Sequence, residues 1–278
     1  MKLENNDRKT GRQGNAKPDL PVITLLTDFG TADYFVGAVK GAILSVNPRV
    51  VIVDITHEIP AQDIETGAFT LHAAYDTFPA GTIHLAVVDP GVGSKRRPII
   101  VVANDQYFVG PDNGIFSYIY DRDPSHQTFH ITSEKYFRSN VSTTFHGRDI
   151  FAPVAATLSR GVKPAEFGSL IDDEVRLPQP LAPLQQKNGK VRGRIIQIDR
   201  FGNCVTNITR DFFDSKKHTA LFVNGKTIRE VKEFYGENGA AKGLFVIWGS
   251  AGFLEISVNG GSAAKVLRAK RGDAVVLT

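Results

Sequence analysis

Cysteine is almost missing from this chain: Cys204 is the only one among 278 residues. No intrachain disulfide can form, which excludes the small disulfide-stapled secreted class and makes the cytoplasm the default compartment. Long apolar runs are missing too. Nothing approaches the roughly 18 consecutive apolar residues of a membrane span, and residues 1–19 lack the apolar core of a signal peptide. Charge of one sign is scarce: 33 Lys and Arg against 29 Asp and Glu leave a formal +4, too little to call for a nucleic acid. Several catalytic and binding signatures are absent as well. There are no paired cysteines and no HExxH, so no metal site is expected. There is no GxxxxGK[ST] or GxGxxG, since GVGSKR lacks a closing glycine and runs into charged residues, and no GxSxG nucleophile elbow.

What is present is an ordinary globular composition, 42% hydrophobic and 22% charged, long enough for about two domains. Residues 1–20 have no apolar period and read as a disordered tail. From Pro21 the texture changes. VITLLTDFG is an apolar run ending in Asp and Gly, followed by YFVGAVKGAILSVNP at helical spacing. VVIVDIT, IETGAFTLHAAYDTF and TIHLAVVDPGVG repeat the strand, helix, strand order, and PIIVVAN and YFVGPDNGIFSYIY continue it. Near-continuous Val and Ile runs alternating with helices predict an α/β domain over 21–176 with a largely parallel central sheet. LPQPLAPLQQKNGK, 177–190, reads as a linker. Short strand candidates separated by turns then predict a smaller all-β, barrel-like domain over 191–278.

In such a sheet the loops at the carboxyl ends of the strands form the ligand crevice. Those loops hold Asp28 and Asp33; Asp54, His57 and Asp63; and Asp89, Arg96 and Arg97. Farther on, His146, Arg148 and Asp149 stand just before another helix. Taken singly, each has a structural reading as loop cap, turn hydrogen bond or ion pair. Their recurrence at one geometric place favours chemistry.

Read in order, TDFG (27–30), DITHEI (54–59), DPGVG (89–93) with Arg96 and Arg97, GPDNG (110–114), FHGRDIF (145–151), IDRFGNCVTNI (198–208) and GFLEISVNGGSAA (252–264) resemble the S-adenosyl-L-methionine hydrolase family. Its members are also called S-adenosyl-L-methionine hydroxide adenosyltransferases, and fluorinases and chlorinases are relatives. The resemblance implies hydrolysis of S-adenosyl-L-methionine to adenosine and L-methionine by attack of water or hydroxide on ribose C5′, with no cofactor and a homotrimeric assembly. It places the water-activating set on Asp89, Arg96 and His146; which of the three takes the proton stays open. Asp28 falls on the position that holds the ribose hydroxyls, Asp33 and Asp199 on acidic positions around the methionine ammonium, and Asn203 on the adenine-edge position. Ser250 falls on a methionine-carboxylate position, but where the relatives carry an arginine beside it this chain has Ala251. The halogenating relatives have Tyr in place of Asp89 and of His146, which argues against halide chemistry. A non-catalytic sensor of the same nucleoside would need none of the three. A β-barrel RNA binder is disfavoured because 191–278 has no stripe of alternating aromatic and basic residues.

Overall fold

Helix and strand placement follows the apolar patterning in a computed structural model that describes residues 20–177, 182–186, 189–213, 218–237 and 243–278. The expected tail lies outside the described residues except for Leu20, as does much of the expected linker. The first sheet has seven strands: β1 (Val22–Thr27), β2 (Val51–Thr56), β3 (Ile83–Val87), β4 (Pro98–Ala103), β5 (Gln106–Pro111), β6 (Gln127–Ile131) and β7 (Gly168–Ile171). Four helices flank it: α1 (Phe35–Val46), α2 (Ile64–Tyr75), α3 (Ser117–Arg122) and α4 (Ala152–Leu158). α2 starts where the Asp63 side chain accepts from the Thr66 N–H at 3.0 Å, closing one of the orphan donors of the first turn. One apolar cluster joins the sheet to α1 and α4 through Val39, Ile43, Phe151 and Val154, and another joins it to α2 and α3 through Leu71, Phe116 and Ile119.

The strand order is β2-β1-β3-β5-β4-β6-β7. The first three pairings are parallel and the last three antiparallel, so the expected largely parallel sheet is instead evenly mixed. The reversal comes at Asn104 and Asp105, both left-handed at φ 52° and 60°. Two such residues between strands form the tight turn whose twist suits an antiparallel hairpin, and β4 folds back along β5. The parallel strands are also cross-linked by a buried imidazole. His84 on β3 meets the Thr24 hydroxyl of β1 at 2.7 Å through Nδ1 and the Gln106 side-chain oxygen of β5 at 3.0 Å through Nε2. Burial lowers its pKa to about 4.

The second sheet comprises β8 (Leu184–Gln185), β9 (Val191–Ile198), β10 (Cys204–Thr209), β11 (Leu221–Val223), β12 (Lys226–Ile228), β13 (Val231–Lys232), β14 (Leu244–Trp248), β15 (Phe253–Val258) and β16 (Ala274–Leu277), with a short α5 (Ala263–Leu267). β8 lies inside the expected linker and pairs with β9. β12, at one end of the strand order, comes back into contact with β14 near the other, so the sheet curls without hydrogen-bonded closure among the described residues. The two halves dock along α2. Phe69 and Ala68 pack on Ile196, Val205 and Phe253, and on the same helix Glu65 pairs with Arg194 at 2.5 Å and Asp63 pairs with Arg271.

Candidate active site

Asp89 follows β3, and the chain then turns through Gly91 to Gly93 before Arg96. Gly93 has φ +76°, and a side chain there would run into the Thr143 carbonyl, so only glycine lets this loop lie against residues 143–146. That close approach brings His146, at the start of a π-helical turn over Gly147–Phe151, next to Arg96. The Arg96 Nε donates to both Asp89 oxygens at 3.0 Å and its Nη2 to Oδ2 at 2.5 Å. The same Nη2 donates to His146 Nδ1 at 2.7 Å. Beneath the guanidinium lies the Phe151 ring, 5.1 Å from its centroid. The side chains of Arg96 and Asp89 are 9% and 5% exposed, so the pair works in a poorly solvated setting where charge-assisted bonds count most.

The geometry assigns the imidazole's state. A guanidinium has no acceptor, so Nδ1 must be the unprotonated nitrogen and the neutral ring carries its hydrogen on Nε2. Burial, and then the Arg96 charge, hold the His146 pKa below its ordinary value. Asp89 and His146 both line a cavity of about 410 Å³. Asp28 lines it too, with Oδ2 accepting from the Gln62 N–H at 2.8 Å. Its aromatic wall of Phe29, Phe35 and Phe145, with ring centroids 5.2 to 6.0 Å apart, was not foreseen. The phenylalanines in TDFG and FHGRD were the available signal.

Asp199, Asn203 and Ser250 are gathered elsewhere, in a cleft of about 840 Å³ in the β half, together with Phe201, Tyr235, Trp248 and Glu255. Asp199 accepts from the Phe201 and Asn203 N–H groups at 2.9 and 2.8 Å and from the Asn203 carboxamide at 2.8 Å. The two clefts have no lining residue in common. Asp33 joins neither and is exposed.

The remaining candidates are structural. Arg97 pairs with Asp112 and Asp173, both at 2.6 Å, and Arg148 with the fully buried Asp149 at 2.6 Å. Asp63 caps α2. Asp54 pairs with Lys40 at 2.6 Å and with His57 at 3.2 Å, while His57 Nδ1 meets the Thr27 hydroxyl at 2.8 Å. Among the described residues no group of three His, Cys, Asp or Glu is placed to hold a metal ion.

Two family models match nearly the whole described chain: the SAM hydroxide adenosyltransferase N-terminal domain over 23–168 and its C-terminal domain over 193–276. The chain belongs to that family. Curated relatives of this SAM hydroxide adenosyltransferase family member agree. An (R)-S-adenosyl-L-methionine hydrolase of Salinispora arenicola is 35% identical, covering 93% of this chain and 98% of its own. A protein of the same name from Methanocaldococcus jannaschii is 36% identical, with 89% and 92% covered. A crystal structure of an uncharacterized conserved protein from Thermotoga maritima superposes with a TM-score of 0.84 at 37% identity, covering 92% of this chain and 99% of the other. A fluorinase of Actinoplanes sp. matches less well, at 28% identity over 68% of the chain.

Proposed function

We propose that the protein hydrolyses S-adenosyl-L-methionine to adenosine and L-methionine, with activated water attacking ribose C5′ and the sulfonium leaving as the thioether of methionine. The observation that carries this reading is the Asp89–Arg96–His146 chain at the rim of a cavity that also holds Asp28. A sulfonium is a good leaving group, so catalysis reduces to aligning a nucleophile behind C5′ and giving it hydroxide character. With Nδ1 engaged by Arg96, His146 offers an Nε2–H to the water oxygen and fixes its direction. It is then the wrong group to accept the proton. The Asp89 carboxylate, which lines the same cavity, is the acceptor for the water O–H, and Arg96 between them offsets the charge on Asp89 and presses His146 toward its neutral form. Anionic nucleophile and cationic substrate neutralise each other as they react, a change favoured in a poorly solvated cavity. Asp28, with one oxygen taken by Gln62, keeps acceptor capacity for the ribose hydroxyls.

The substrate must also reach Asn203 and Asp199, which line a cleft separate from the one at Asp89. A homotrimer in which the Asp89 cavity of one subunit meets the Asn203 cleft of its neighbour reconciles the two, and a head-to-tail ring produces such a meeting of unlike faces. The single cysteine, buried and with its pKa pushed up to about 11 by burial, suits a cytoplasmic protein.

The deciding experiment is incubation with S-adenosyl-L-methionine in heavy-oxygen water. Adenosine and methionine in equal amounts, with the label on the 5′-oxygen, are the expected products. Binding without turnover would mark a sensor, and 5′-chloro-5′-deoxyadenosine in chloride buffer would mark a halogenase. Either result overturns the reading.

A further inference from the structure

S-Adenosyl-L-methionine ends in one carbon that bears both an ammonium and a carboxylate, and the β-half cleft is matched to only one of them. Asp199 and Glu255 line it, two acids suited to an ammonium. None of its described lining residues is Lys, Arg or His, so a carboxylate entering it would face like charge without a counter-ion. The crowding of acids is already felt by Glu255, whose pKa is raised by burial and by the neighbouring Asp199.

A cation stands behind this cleft, in the neighbouring cavity. Ser250 lines the cleft and also this second cavity, of about 440 Å³, along the seam between the halves. Arg210 lines that second cavity. Its guanidinium lies 4.6 Å from the centroid of Trp248, whose ring belongs to the first cleft. The arrangement is braced: Arg210 opens a short helical turn directly after β10, and Phe213, three residues on, packs edge-on against Trp248 with ring centroids 5.6 Å apart. Arg210 is exposed, and among the described residues no carboxylate lies within ion-pair distance of it. A guanidinium stacked on an aromatic face keeps its in-plane donors free for a bidentate carboxylate.

We propose that Arg210 recognises the substrate's carboxylate, its guanidinium held on Trp248 and directed past Ser250 while Asp199 takes the ammonium, so that the enzyme selects sulfonium substrates with an intact amino-acid end. The proposal rests on S-adenosyl-L-methionine being the substrate and names a residue for one part of it. The other cation of the seam cavity, Arg122, lies in the last turn of α3 in the α/β half and stacks on no aromatic ring among the described residues.

The test compares S-adenosyl-L-methionine with its decarboxylated analogue, each as substrate and as competitive inhibitor, on the full chain and on Arg210→Gln, Arg210→Lys and Arg122→Gln. Arg210→Gln is expected to raise KM for S-adenosyl-L-methionine roughly tenfold, with kcat within about twofold, as loss of a charge-assisted bond requires. Constants for the analogue stay unchanged, Arg210→Lys keeps part of the preference, and Arg122→Gln behaves as the parent. Equal losses on both ligands would assign Arg210 a structural role and overturn the proposal. So would a parent enzyme indifferent to the carboxylate, or a preference abolished by Arg122→Gln and not by Arg210→Gln. Failure of the substrate assignment is separately visible, because the parent would then release no adenosine.

Discussion

The Asp89 cavity and the Asn203 cleft differ in what each already contains. Around Asp89 the polar side chains are bound to one another, two loops are locked together by a glycine contact, and three phenylalanines close the wall. The space left, about 410 Å³, is half that of the other cleft. Around Asn203 the space is about 840 Å³, and the aromatic surface faces solvent: Phe201 is 77% exposed and Tyr235 46%. Exposed rings beside polar groups mark a surface that waits for a partner. On the proposed function, the α/β half is a preformed reaction chamber and the β half a recognition surface completed by a neighbouring subunit.

This division predicts different kinetic signatures for the two regions. Asp89→Ala, Arg96→Ala and His146→Ala should each lower kcat by about two to four orders of magnitude with KM changed only a few fold, because these groups act on water and not on adenosine. Rapid-quench turnover and equilibrium binding together check this, and full turnover by all three variants would dissolve the contrast between chamber and surface. Joining the regions across subunits comes next in size. Asp89→Ala and Asn203→Ala chains refolded together in equal amounts and assayed at substrate well below KM should regain about a quarter of the unsubstituted enzyme's kcat/KM, since random pairing leaves that share of interfaces wild-type on both faces. A kcat/KM equal to the mean of the two separate variants would confine the site to one chain. Asn203→Ala alone should raise KM roughly tenfold with kcat nearly constant, the signature of a lost binding contact.

The smallest effect concerns pH. Protonating His146 would abolish its acceptor at Nδ1 and set a second cation against Arg96. Because its pKa is lowered, the neutral form persists below the ordinary histidine value of about 6.5. The acid limb of kcat therefore lies below that pH, and a limb above it would detach His146 from catalysis.

Most of the chamber could be read from sequence because its parts lie in strand-end loops, where position and residue type coincide: Asp28 after β1, Asp89 after β3, His146 before α4. The β-half cleft was legible only at Asp199, Asn203 and Ser250, and only through resemblance. Tyr235 comes from a turn after β13, Trp248 from β14 and Glu255 from β15, and no motif marks the three as a group before the sheet is formed. Asp33, also expected from resemblance, is exposed and lines neither cleft. The parallel sheet was overextended for a physical reason. β4 has the Val and Ile run of a buried parallel strand, and its reversal depends on two left-handed residues, Asn104 and Asp105, without the glycine that usually announces such a turn.

His84 has a consequence for endurance. Its ring links β1, β3 and β5, the strands whose ends carry the Asp89 cavity, and burial favours its neutral form. An unfolded chain binds a proton at this histidine near pH 6.5, and the folded chain only near pH 4. Acid therefore favours unfolding progressively through that window, by about 3 kcal/mol at its lower end. The antiparallel strands β6 and β7 lie beyond the reach of this fastening. The sensitivity to acid is nevertheless shared, because burial also lowers the pKa of His72 on α2 to about 4 and that of His130 on β6 below its ordinary value, so protonation weakens the fold on both sides of the sheet's parallel-to-antiparallel boundary.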